Sequence, residues 1–165
     1  MSSEVHVRGA RLADAAALTE IQAAAWTPES GFPSVRERDD DGRPFFSDGH
    51  PPAAHMVAEL GSRVAGYIRL GPPTHLPENS HVLQVQGLAV DPAAQRRGIA
   101  AGLLTAAERH ARDQGARKLS LRVLSSNQAA IRLYEKLGFR HEGVLREEFC
   151  INGAYVDDVI MAKPL

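Results

Sequence analysis

Apolar and polar positions alternate through VHVR (5–8), the period of a short, half-buried strand. The period then lengthens in ADAAALTEIQAAAW (13–26), where Leu18, Ile21 and Ala25 fall on one face of a helix and Asp14 stands as its N-cap. Pro28 closes that helix. From Thr27 to His50 the pattern breaks into polar, Gly- and Pro-rich sequence, expected to be a loop with room for one short helix. Its acidic run, Asp39–Asp41, reads as a solvated loop or, more sharply, as the border of an acceptor site.

Alternation returns in HMVAEL (55–60) and RVAGYIRL (63–70), two strands joined by Gly61-Ser62 as a hairpin. After the loop GPPTHLPENS, HVLQVQGLAV (81–90) predicts a strand whose Gly87 marks a bulge or a close backbone approach. Ile99, Leu103, Ala106, Ala107 and His110 then recur at helical spacing, and Gly115 caps the helix. RKLSLRVL (117–124) alternates again, with Leu119, Leu121 and Val123 on one face. A helix over SSNQAAIRLYEKLGF (125–139) has Asn127 near its N-cap and Gly138 just past its end, and Asn152-Gly153 predicts a hairpin within REEFCINGAYVDDVIMAKPL (146–165). The strand–helix–strand unit over 82–124 is long enough for a parallel crossover, while the hairpins impose antiparallel pairs. A single mixed, mainly antiparallel α/β sheet flanked by helices follows, in one domain over 1–165.

Composition narrows the function classes. The chain has 165 residues, 44% of them hydrophobic and 24% charged, as in a globular protein. A net charge of −1 gives no whole-chain footprint for nucleic acid, so no nucleic-acid partner is expected. No apolar run is long enough to span a bilayer, and MSSEVHVRGA has neither a signal-peptide core nor a glycine at Ser2 for myristoylation; no membrane association and a cytoplasmic location are expected. The single cysteine, Cys150, excludes an intramolecular disulfide and, with no base beside it, reads as packing. The seven histidines are scattered without zinc-site spacing, so no metal is expected.

Chemistry concentrates in AVDPAAQRRGIAAGLL (89–104). A helix N-terminus offers unpaired N–H groups and the positive end of its dipole. Gly98, Ala100 and Ala101 let an anion approach the backbone, and Arg96 and Arg97 add two charges suited to phosphate. The competing reading is a solvated arginine pair and small residues chosen for tight helix–sheet packing. The stretch is neither a Walker phosphate loop nor a dinucleotide fingerprint.

VDPAAQRRGIAAGLL resembles the Q/R-x-x-G-x-G/A signature of the GNAT superfamily of N-acetyltransferases. SSNQAAIRLYEKLGF resembles the same family's later Asn–helix–Tyr–Gly-Phe motif. GVLREEFCINGAYVDDVIMAKPL is similar to the last hairpin of its small-amine, phosphinothricin-acetyltransferase-like and ribosomal-protein-acetylating branches. The likeness runs from about Val5 to the C-terminus, with 27–52 unmatched. It implies a GNAT-like acyl-CoA N-acyltransferase fold, acetyl-CoA as co-substrate, and a primary amine as acceptor; with no activated nucleophile visible at Cys150, direct transfer is expected over an acyl-enzyme. Leu88, Ala89 and Val90 would line the pantetheine arm, Leu88 and Val90 through backbone hydrogen bonds. Gln95, Arg96, Arg97, Gly98, Ile99, Ala100 and Ala101 would wrap the pyrophosphate. Asn127 would contact the arm near its reactive end, and Tyr134 would sit near the thioester sulfur. Ala100 departs from the second glycine of many members.

Tyr134 is the catalytic candidate, since a phenol near pH 10 can donate to a thiolate whose conjugate acid titrates near about 8.5. Its place on an apolar helix face equally suits core packing. Some family members carry a glutamate on the central strand as base; this chain has Gln84 and Gln86, which cannot take a proton. Glu59, Glu78, His81, Asp157 and Asp158 are substitutes that each suit a structural role better, so no base is assigned. Trp26 walls the acceptor pocket or packs in the core. The preferred acceptor is a small-molecule amine. The alternatives are a protein N-terminus or lysine, or a non-catalytic acyl-CoA sensor. Open sheet edges in the family frequently pair, which makes a homodimer an expectation as well.

Overall fold

In the computed structural model, residues 4–39 and 41–165 are described, with the backbone alone for 38 and 39; Asp40 of the acidic run and the first three residues lie outside them. One seven-stranded sheet runs in the order β1-β2-β3-β4-β5-β7-β6. The strands are β1 (Val5–Gly9), β2 (His55–Leu60), β3 (Arg63–Gly71), β4 (Val82–Val90), β5 (Lys118–Leu124), β6 (Arg140–Ile151) and β7 (Ala154–Pro164). The helices are α1 (Ala15–Ala25), α2 (Pro33–Asp39), α3 (Ile99–Asp113) and α4 (Gln128–Lys136). β4 and β5 pair in parallel and the other neighbours antiparallel, the mixed sheet that the crossover and hairpin signals predict.

The sheet is covered on both faces, as its two sets of inward positions require. On one face Ile99, Leu103 and Ala107 of α3, with Ile131 and Tyr134 of α4, pack against Ile68, Leu119, Leu121 and Met161. Leu103, Leu119 and Met161 are fully buried, each removing about 1.5–3 kcal/mol worth of apolar side chain from water. On the other face Leu18 and Ile21 of α1 pack with Phe46, Val57 and Tyr67.

Local chemistry sets the element ends. Gly115 and Gly138 take φ of +80° and +93° past α3 and α4, and the Asn127 carboxamide oxygen accepts from the Ala130 N–H at 3.2 Å as an N-cap. Asn152 and Gly153 both have positive φ, 50° and 82°, as a two-residue hairpin turn needs. Two expectations shift. Asp14 stands at the N-cap position of α1, but its side chain does not cap that helix: it also ends a 3₁₀ turn, and its carboxylate accepts from the Arg11 N–H at 2.7 Å and from both terminal Arg8 guanidinium nitrogens at 2.9 Å. An arginine on β1 outcompetes the helix amides for it. The last hairpin also starts earlier than Arg146, at Arg140, because β6 is an exposed edge strand whose irregular register hides any apolar period.

Candidate active site

The centre of the sheet is split. β4 and β5 are in register only from Val82↔Lys118 to Val85↔Leu121, although β4 continues to Val90 and β5 to Leu124. The cause lies on the opposite edge of β4. Arg69 pairs with Gly87 but Leu70 with Val85, leaving Gln86 as the extra residue of a bulge. Beyond it, Leu88, Ala89 and Val90 stay paired with Ile68, Tyr67 and Gly66 of β3, and their β5-facing backbone groups are left for another partner. The sequence points to this bulge through Gly87, one residue away.

Past Val90 the chain turns through Pro92–Ala94, held by the Asp91 carboxylate accepting from Ala93 N–H at 2.9 Å and by buried Ala94. Gln95, Arg96, Arg97 and Gly98 are all exposed. Arg96 and Gly98 hold φ of +64° and +75°, so the backbone curls immediately before α3. Nothing lies within 4 Å of a Cβ built on Gly98, so glycine serves the left-handed conformation there and not a tight fit. The first amides of α3 have no intrahelical partner, and among the described residues Arg96 and Arg97 pair with no carboxylate. Ile99 is different: its side chain is in the core, so only its backbone can face a ligand. Ala100 and Ala101 are half-buried.

Gly66 positions this helix start. A Cβ there would meet Ala89 O at 2.9 Å and Ile99 Cγ2 at 3.0 Å, so glycine lets α3 lie against the end of β4. The sequence gives it no special signal.

Asn127 and Tyr134 are carried by α4. Asn127 spends its carboxamide oxygen on the cap, which leaves its NH₂ free to donate. Tyr134 is buried edge-on against Phe139, ring centroids 5.8 Å apart, and its hydroxyl hydrogen-bonds no described group. Burial pushes its phenol up to about 12, above the free-phenol value used in the sequence argument.

The substitute bases are mostly engaged. Glu59 pairs with Arg8 at 2.8 Å, and buried Asp158 pairs with Arg122. Asp157 accepts from the Glu147 N–H at 2.8 Å and from Arg146 at 3.0 Å, bonds that hold its carboxyl below the usual range. Glu78 and His81 are exposed on or beside the β3–β4 connection. Gln86 folds away, its Nε2 donating to Pro72 O at 3.2 Å.

The segment that follows α1 reaches the start of α4 and the last hairpin. Ser126 Oγ donates to Glu29 O at 2.7 Å, tying this segment to the start of α4, and Phe32 meets Phe149 edge-on at 4.8 Å. Phe32, Ser34, Glu37, Phe149, Cys150 and Asn152 line a cavity of about 350 Å³ between α2 and the last hairpin. None of the predicted cofactor residues lines it. Trp26 is half-buried with Gly31 against its ring, and its sealed Nε1 has no partner among the described residues.

The acetyltransferase (GNAT) family model matches residues 15–139. A mycothiol acetyltransferase of Amycolatopsis mediterranei is 34% identical over 136 residues, 78% of this chain and 43% of that protein. The ribosomal protein bS18-alanine N-acetyltransferase of Escherichia coli K12 is 38% identical over 78 residues, 47% of this chain and 53% of that protein. The chain thus spans about half, or less, of the length of these curated relatives. Among solved structures, an acetyltransferase from Salmonella typhimurium with its cofactor acetyl-CoA superposes with a TM-score of 0.74 at 26% identity, covering 99% of this chain and 95% of that one. A ribosomal-protein-alanine N-acetyltransferase from Brucella melitensis gives 0.73 at 26% identity, covering 97% and 99%. The fold is the one shared by these solved acetyltransferases. The chain belongs to the GNAT acetyltransferase family.

Proposed function

We propose that this chain is an acetyl-CoA-dependent N-acetyltransferase that moves the acetyl group directly to the primary amine of a small molecule, with both substrates bound together. The observation that carries the reading is the split beside Leu88–Val90 leading into the Gln95–Ala101 turn: an unpaired strand edge and an anion-ready helix start in one continuous path.

The residues fit the cofactor. The free edge of β4 receives the amide-bearing arm as an added strand. The amides from Gly98 to Ala101, together with Arg96 and Arg97, receive the pyrophosphate. The bound thioester supplies an activated acetyl group and a thiolate leaving group. The backbone N–H groups past the bulge polarise the carbonyl that an amine attacks, and Asn127 positions the arm through its free NH₂. Tyr134, protonated because its phenol is pushed up to about 12, hydrogen-bonds the departing sulfur. With the central-strand positions occupied by Gln84 and Gln86, the amine's proton leaves through water. The whole sequence 1–165 acts as one domain.

A small amine is preferred because the last hairpin resembles that of the family's small-amine branch and because the 27–52 segment is polar. Amine-dependent release of thiol from acetyl-CoA tests the reading. Turnover with a small amine supports it. Turnover with peptide N-termini alone selects the protein-acetylating alternative, and cofactor binding without turnover of any amine selects the sensor.

A further inference from the structure

We propose, resting on the acetyltransferase reading, that the acceptor carries a carboxylate within a few bonds of its amine and that Arg69 receives it.

Arg69 stands on β3 in register with Gly87, at the bulge that opens the sheet. A Cβ built on Gly87 would lie 3.5 Å from Arg69 Cβ, so the side chain leaves the sheet where β4 begins to separate from β5. Its Nη2 donates to Gln86 O at 3.0 Å, and among the described residues its sealed Nε has no partner and no carboxylate pairs with it. Half-buried Arg8, by contrast, holds both Asp14 and Glu59.

A guanidinium has five donors arranged to meet a planar carboxylate, and taking it half out of water without an anion is costly. Among the described residues no carboxylate relieves that cost. Tyr67 lies beside it, and His50 and His55 both feel its positive charge, so cationic and neutral groups converge with no anion among them. His55 Nδ1 faces Pro51 O at 2.8 Å, so that nitrogen carries the proton. The donors still open for a ligand are those of the Nη groups.

Position sets the chemistry of the ligand. Leu88, whose amide borders the transferred acetyl group in the proposed site, is one residue along from Gly87, about 3.3 Å of strand. An amine attacking there and a carboxylate on Arg69 therefore belong to a compact amino acid. A protein N-terminus has a peptide bond where this site asks for a negative charge.

The test uses acetyl-CoA with a panel of L-amino acids and the matching amino acid amides, read as thiol release. At least a tenfold preference in kcat/KM for an acid over its amide is expected. Arg69→Gln should lower the acid's kcat/KM by about 10–100-fold, the loss of a hydrogen-bonded charge pair, and change the amide's less than threefold. Arg69→Lys should recover part of the loss. Equal use of acids and amides, or acceptance of peptides or neutral amines alone, would overturn the proposal while leaving the acetyltransferase reading standing. Equal slowing of acid and amide in Arg69→Gln would also overturn it, since Arg69 would then only brace the bulge. Absence of stabilisation by acetyl-CoA in a separate thermal measurement would remove both.

Discussion

Tyr134 illustrates how burial redefines a side chain. Exposed, its phenol could exchange a proton with a thiolate at mild pH; buried and pushed up to about 12, it stays a donor throughout the working range. Tyr134→Phe is therefore expected to lower kcat by about 10²-fold with little change in the KM for acetyl-CoA. The pH profile of kcat/KM should rise with the acceptor amine's own deprotonation and show no limb from Tyr134 below about pH 10. A limb that vanishes in Tyr134→Phe would contradict this. Gly98 makes a second residue-scale case. At φ +75° an alanine meets the left-handed penalty, about 1–2 kcal/mol, with no steric relief or clash nearby. Gly98→Ala should lower the thermal midpoint by that much stability and weaken acetyl-CoA binding together. The turn at Gln95–Gly98 and the places of Asn127 and Tyr134 at the cap and on the buried face of α4 were legible because each pairs a special residue type with a helix end or face. Arg69 was not, because an arginine in an alternating strand looks solvated until its missing partner is seen.

At the scale of elements, patterns held where one face is buried and one is not. β2, β3, β5 and α3 all fall where their apolar periods put them, and the Asn152-Gly153 turn forms as its positive φ requires. β6 escaped because an edge strand exposed along most of its length has no period to read. The short helix allowed within 27–50 is α2, beginning at Pro33 as an N-terminal proline favours. The packing of α3 on β3 was not legible either, since Gly66 matters only for the distance between two backbones. Gly66→Ala is expected to cost about 1–3 kcal/mol, because the new methyl meets Ala89 O at 2.9 Å and backbone cannot step aside. Chemical denaturation with an unchanged m-value would check it. A neutral outcome would show that α3 can lift from the sheet freely.

For the whole molecule, one bulge converts a continuous sheet into a split one, and the strand edge so exposed leads directly to the start of α3. The same sheet carries the ion pairs that set acid stability. Arg8 holds the Asp14 carboxyl below its usual range, so the ionised form stabilises the fold above about pH 4, and this is lost as pH falls through the lower folded-state value. Burial lowers the pKa of His55, so its neutral form stabilises above about pH 6.5, and that contribution is lost as pH falls through its folded value. Stability should decline below about pH 6.5 and again below about pH 4. Asp14→Asn should flatten the second decline while costing about 1–3 kcal/mol at neutral pH.

The most direct test of the central claim is the thermal midpoint with and without acetyl-CoA, with AMP as a control for generic nucleotide binding. At about a hundredfold over the dissociation constant, binding adds about 2.7 kcal/mol. For a chain of this size that is a rise of about 5–10 °C. The predicted result is a shift of that order with acetyl-CoA, much smaller with AMP, and largely lost in Arg97→Glu. No shift at millimolar acetyl-CoA would mean that the turn before α3 is only a helix start, and the acetyltransferase reading would be contradicted.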